Sequence, residues 1–198
     1  MGLDINYIAG QTPIDEDEKE GLKVKTISNR SELNQFEQLN IEQAILWSLE
    51  SKFEINYILS ETFVKELHKK MFGDVWKWAG QFRTSNKNIG ADKFLISTEL
   101  RILFEDCKYW IENHTYSEDE TAVRFSHRIV SIHPFPNGNG RHSRLIADIL
   151  IENGLGREHF SWGVKELSGI GNERTTYLYA LREADKGNIQ PLLNFARK

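Results

Sequence analysis

Residues 133–144 read His-Pro-Phe-Pro-Asn-Gly-Asn-Gly-Arg-His-Ser-Arg. Imidazole is the side chain best suited to take a proton near neutral pH, and His133 opens a stretch that Pro134 and Pro136 stiffen, so it can serve as a base toward a hydroxyl. Gly138 and Gly140 permit backbone conformations and close approaches that a side chain would forbid. A helix starting here presents unpaired N–H groups at its positive end, which makes an anion site. Arg141 and Arg144 are three residues apart and therefore share a helix face, where each guanidinium can fork onto phosphate oxygens. A polyphosphate, a nucleoside triphosphate above all, suits this combination. Phe135 is expected to point inward and anchor the loop.

The surrounding pattern is mostly helical. Ile41, Ala44, Ile45 and Leu49 recur at helical spacing after a capping box at Asn34 and Glu37, which predicts a helix over about residues 35–51. Ser60 caps a second, with Phe63, Val64, Leu67 and Met71 on its apolar face and Gly73 at its end. From about Gln81 to Ile96 the helical period is lost, and Asn86-Lys-Asn-Ile-Gly90 reads as the tip of a small β-hairpin or extended flap. Ser97 or Thr98 opens a helix through Leu100, Leu103, Phe104 and Trp110. Ser117 and Glu120 cap another through Val123, Phe125, Ile129 and Val130. A helix after residue 140 ends near Asn153-Gly154, and two more follow at about residues 171–186 and 189–196. The expected fold is all-α, a bundle of about seven or eight helices with one small β-hairpin flap.

Composition bounds the class. The chain of 198 residues is 39% apolar and 27% charged, with a mean hydropathy of −0.50, which fits one globular domain. Residues 1–25, with the acidic run Asp15–Glu20, read as a mobile lead-in, and 26–198 as the domain. Leu145–Ile151, the longest strongly apolar stretch, is far below the roughly 20 residues of a bilayer span. The first residues have neither a signal-peptide nor a myristoylation pattern, so a cytoplasmic location is expected. Twenty-five basic residues against 29 acidic ones leave a formal charge of −4, which offers no general attraction to nucleic acid. The single cysteine, Cys107, permits no internal disulfide and is given no role.

HPFPNGNGRHSR closely resembles the Fic (filamentation induced by cAMP) motif, HxFx(D/E)GNGRxxR. Leu67-His68 through Trp78-Ala-Gly80 and Tyr177 through Phe195 resemble further Fic segments. Gln11-Thr-Pro13, Glu32-Leu-Asn34, Glu37-Gln38 and Asn40-Ile41 look like the subgroup called mobile mystery protein B. The resemblance implies a protein adenylyltransferase that moves AMP from ATP to a Ser, Thr or Tyr hydroxyl of a target protein. His133 would be the general base. Gly138, Asn139, Gly140, Arg141 and Arg144 would hold the phosphates, and Tyr177 would line the nucleoside pocket, although an aromatic at its helical spacing equally suits the core. Lys87, Asn88, Ile89, Gly90, Phe94 and Ile96 would form a flap that docks the target backbone. Position 137 departs from the family pattern. The carboxylate there holds Mg²⁺, and Asn137 offers only a neutral oxygen, so weaker metal binding is implied.

Many Fic proteins carry an inhibitory helix, (S/T)xxxE(G/N). Ser28 and Glu32 match its spacing, with Leu33 in place of Gly or Asn, and the implied pair is Glu32 with Arg144. A surface glutamate in the first turn of a helix accounts for Glu32 equally well. His127 and His142 lack a recognisable metal-ligand spacing with His133. Alternatives stay open: transfer of another phosphate-linked group or of phosphate, or a nucleotide-binding regulator with little turnover. The resemblance also leaves homo-oligomerisation open.

Overall fold

The computed structural model describes residues 15–163 and 172–198. Its helices are α1 (Glu16–Lys19), α2 (Arg30–Leu49), α3 (Ile55–Ile58), α4 (Glu61–Phe72), α5 (Ile96–Glu112), α6 (Glu118–Ile132), α7 (Asn139–Ile149), α8 (Asn172–Asp185) and α9 (Gln190–Ala196), with a π-helical turn over Leu150–Gly154 ending α7. Ser60 and Ser117 cap α4 and α6 through their hydroxyl oxygens, which accept from the backbone N–H groups of Phe63 and Glu120. Each thereby satisfies one of the donors that a helix start leaves orphaned.

Helix α2 starts earlier than its apolar spacing suggests. Asn29, not Asn34, is the cap, and its side chain accepts from Glu32 N at 3.0 Å. Glu37 is therefore mid-helix, where it lies 3% exposed. Likewise α5 starts at Ile96, ahead of Ser97, because Ile96 itself packs into the core at 1% exposure.

Helices α2 to α7 share one core whose largest fully buried side chains include Trp76, Phe63, Phe72, Phe125 and Phe135. Helices α8 and α9 close a second cluster, around Val123, Ile151, Phe160, Trp162 and Phe195, on the far side of α6 and α7. Burial of aromatic area on both sides holds α6 and α7 in the middle of the molecule. The connection between these two helices carries the motif.

One expectation is corrected. No strand occurs among the described residues, and residues 81–95 form turns and bends rather than a hairpin. Side chains take the place of a cross-strand ladder. The Arg83 guanidinium donates to the carbonyls of Ser85 (2.9 Å) and Ala91, and Asn86 bonds Asp92 and accepts from Lys93 N. The described part of the lead-in is also anchored: Lys87 pairs with Asp15 at 2.7 Å and Glu18 at 2.8 Å, and Lys23 N donates to Val75 O. Gln11-Thr-Pro13 lies outside the described residues.

Candidate active site

His133 is the last residue of α6's reach. It caps the helix in the left-handed region at φ 55°, and its N–H still donates to Ile129 O. That turn ends the helix and swings the chain toward α7. The imidazole is 5% exposed, and Nδ1 lies 3.3 Å from Val130 O. A carbonyl can only accept, so Nδ1 carries the proton and Nε2 the lone pair. Burial is the main cause that lowers the His133 pKa to about 4; Arg83 and Lys87 add to the lowering, while the bond to Val130 opposes it. The ring is neutral at physiological pH, the form a base requires.

Between His133 and α7 the loop is braced by neutral hydrogen bonds. Asn139 uses both ends of its amide on Phe135, accepting from its N–H at 2.9 Å and donating to its carbonyl at 2.8 Å. Here Asn139 shapes the loop from within, buried at 2% exposure. Phe135 stacks on His68 with centroids 3.7 Å apart. His68 Nδ1 accepts from Gly80 N (3.0 Å), which leaves Nε2–H to donate to Asn137 O (3.0 Å). A fully buried imidazole on α4 thus ties the Ala79-Gly80 turn to the loop. Spacing alone does not reveal that tie, since His68 lies in an ordinary apolar helix face. Burial holds its pKa well below the usual range, so the tautomer persists.

Gly138 has φ +80°, and a Cβ there would meet the Phe72 ring at 2.6 Å. Only glycine suits both the turn and the packing. It starts α7, whose first N–H groups stand with Arg141 and Arg144 one turn inside, the arrangement from which an anion cradle is expected. Arg144 Nε donates to Gly140 O at 3.1 Å, and its guanidinium lies 5.2 Å over the Tyr177 ring. Tyr177 in turn packs on Phe195 at 5.4 Å. It therefore borders both the cradle and the second core.

Arg141 pairs with Glu37 at 2.7 Å, and Glu37 also accepts from Trp76 Nε1 at 2.7 Å. Glu37 is the residue the sequence did not flag as part of the site: its helical register buries it, and the carboxylate meets the motif from 104 positions away. A charged residue on an otherwise apolar helix face is the one signal of it. Glu32 is placed differently. Its carboxylate accepts from Ser28 N (2.8 Å) and Ser28 Oγ (3.1 Å) at the exposed start of α2, which lowers its pKa. No ion pair of the described residues joins it to Arg144.

Asn137 Oδ1 accepts from Gly138 N at 2.7 Å, so the oxygen that would face a metal is turned onto the backbone. No group of three or more His, Cys, Asp or Glu among the described residues could hold a metal ion. The donor set of this chain does not by itself fit Mg²⁺, which prefers charged oxygen ligands.

In the flap, Gly90 sits against His133: a Cβ at Gly90 would lie 2.7 Å from His133 Cβ. Phe94 and Ile89 are exposed at 83% and 51%. Lys87 is held by its two carboxylates, and Ile96 is in the core rather than on a docking surface. His142 bonds Val64 O, and His127 pairs with Asp185. The first ties α7 to α4 and the second ties α6 to α8.

Residues 58–151 match the Fic/DOC family. Over 137 residues the chain is 28% identical to the Protein adenylyltransferase Fic of Drosophila virilis and of Drosophila willistoni, covering 67% of this chain and 26% of each relative. It thus spans about a quarter of the length of these relatives. Among solved structures, the chain resembles the BepC protein of Bartonella tribocorum with bound AMPPNP (TM-score 0.71, 18% identity, 92% of this chain and 97% of that one). It also resembles the N-terminal Fic domain of a Bartonella quintana effector (TM-score 0.68, 21% identity, 88% and 84%). His133 at the end of α6, a glycine-turned loop and two arginines at the start of α7 all fall inside the stretch that matches the Fic/DOC family.

Proposed function

We propose that the chain transfers AMP from ATP to a Ser, Thr or Tyr hydroxyl of a protein target. The observation that carries this reading is the neutral, Nδ1-protonated His133 placed directly before the α7 cradle. Nε2 accepts the hydroxyl proton as the oxygen forms a bond to the α-phosphorus. Arg141, Arg144 and the α7 N–H groups stabilise the charge that gathers on the departing pyrophosphate. Tyr177 borders the space for the nucleoside. The exposed Ile89 and Phe94 offer the target an apolar edge, with Asn88 and Gly90 contributing backbone.

Asn137 is neutral and its oxygen is engaged by Gly138 N, so Mg²⁺ would enter with the nucleotide, held by phosphates and water. Such an enzyme works where ATP is abundant, which favours the cytoplasm. Among the described residues, no helix is long and apolar enough to cross a membrane. The finer kinship with mobile mystery protein B rests on the sequence resemblance at Glu37-Gln38 and Asn40-Ile41. Asn40 donates to Lys70 O and accepts from Asp74 N, binding α2 to the end of α4.

The test is incubation of the protein, and of its Glu32→Gly form, with ATP labelled separately at the α and γ phosphates. Label from α on protein establishes adenylyl transfer. Label from γ establishes phosphorylation, the second reading, and bound nucleotide with neither label identifies a regulator. A brake at Glu32 predicts faster labelling in the glycine form, and equal rates remove Glu32 from the site.

A further inference from the structure

Arg83 lies outside the motif and is 3% exposed. No ion pair of the described residues includes it. Its guanidinium is instead surrounded by main-chain carbonyls: Nε donates to His133 O at 2.7 Å, one Nη to Ser85 O at 2.9 Å, and the other to Ala91 O. Its own N–H donates to Pro134 O at 2.9 Å, and Ala91 N donates to Ile132 O at 3.0 Å. Burying a guanidinium is costly unless its donors are met, and here the residues that meet them belong to the flap and to the base. Residues 85–91 are thereby curled around one planar fork whose third arm ends on the carbonyl of the residue that carries the imidazole.

We propose that Arg83 is a positioning residue that locks the flap and the His133 main chain into one register, so that a hydroxyl docked on the flap arrives at Nε2. The proposal rests on the transfer reading for its purpose, but its geometry is independent of turnover. Gly90 supports it: the flap approaches so closely that a Cβ would fall 2.7 Å from His133 Cβ and 3.0 Å from Arg83 Nη2. The charges acting on the imidazole are Arg83 and Lys87, both from this segment. Lys87 is paired in turn with Asp15 and Glu18 of the α1 region, and Asp92 faces Arg83.

The test follows the His133 imidazole by NMR titration and the Ala91 amide by hydrogen exchange in the full chain, for wild type, Arg83→Gln and Arg83→Lys. ATP affinity serves as the check on folding, and self-modification with α-labelled ATP as the readout of transfer. In Arg83→Gln the titration midpoint should rise, because a positive neighbour is gone. Ala91 exchange should quicken about tenfold and transfer should fall about 10²-fold from misplacement alone, with ATP still bound. Arg83→Lys should restore the midpoint but not the protection, since an ammonium supplies charge without the fork. An unmoved midpoint with unchanged Ala91 protection in folded Arg83→Gln overturns the proposal, as does full rescue of protection by lysine.

Should Arg83→Gln not fold, Gly90→Ala displaces the flap while keeping the guanidinium. Loss of Ala91 protection and of transfer with ATP binding intact supports the lock, and retention of both refutes it. A wild type that never transfers α label sinks the proposed activity, whereas the titration and exchange still decide the role of Arg83.

Discussion

The loop that follows His133 and the flap that packs against it are held by opposite means. The loop from His133 to Gly138 is braced by neutral groups, with Asn139 on Phe135 and His68 on Asn137 and Gly80. The flap is held by charge: Arg83 among carbonyls, and Lys87 between Asp15 and Glu18. A neutral brace inside a packed core is insensitive to salt and holds one geometry. The Lys87 pair that ends on the half-exposed Asp15 carboxylate weakens as ionic strength rises, whereas buried Arg83 is screened much less. The proposed phosphate side thus rests on contacts insensitive to salt, and the proposed target side rests in part on a contact that solution conditions can alter.

The largest effect should come from breaking the neutral brace. Asn139→Ala leaves the buried Phe135 N–H and carbonyl without their partner, costing about 2–4 kcal/mol of stability and loosening ATP binding. Denaturant melts and calorimetric titration with ATP measure this, and the loss should be the same at low and high salt. A salt-dependent loss would break the contrast.

Acid should act next. His133 and His142 titrate at about 4, and His68 is likewise lowered, each chiefly by burial. Their unfolded values lie near 6.5, so below that pH the unfolded chain binds protons that the native chain refuses. The stability these neutral rings contribute is complete above about pH 6.5 and drains away as pH falls toward 4. Asp148, raised to about 7 by burial, runs the other way: its protonated form favours the native state at low pH, and that contribution is lost as pH rises through 7. Three groups outweigh one. Melting followed from pH 7 to pH 4 should show falling stability, and a rise over that range would contradict the buried tautomers.

A smaller effect is expected where charge meets the cradle. Glu37→Gln keeps an acceptor for Trp76 but removes the negative partner of Arg141, so that guanidinium is freer for phosphate. ATP affinity should improve roughly threefold to tenfold, the scale of a screened charge pair. Unchanged or weaker binding would mean that Glu37 orients Arg141 rather than competes for it. The smallest effect belongs to the flap: Lys87→Ala should cost about 1 kcal/mol or less at low salt and less again at high salt, read by Ala91 exchange.

Much of the site was legible because it is local. His133, Gly138, Arg141 and Arg144 fall within 12 consecutive residues, and glycine placement, helix spacing and imidazole chemistry need no distant partner to be read. The capped helices α4 and α6 were legible for the same reason. The flap was not. Its turn-rich composition suited a hairpin, but side chains compete with a ladder: one buried arginine captured the carbonyls of Ser85 and Ala91, and Asn86 took the Lys93 N–H, groups a second strand would have used. Nor was the start of α2 legible, since Asn29 and Asn34 are equivalent caps until packing decides which register buries Leu33 and Glu37.

From the sequence by itself follow a helical domain and a candidate base set before a helix start suited to an anion, because those depend on spacing within a turn or two of chain. Tertiary structure alone decided the tautomer and neutrality of His133, the pairing of Glu37 with Arg141, and the fastening of the flap by Arg83. Each of these depends on groups far apart along the chain meeting where water is excluded, and it is that exclusion which sets proton affinity and makes a buried charge seek whichever partners the fold brings within reach.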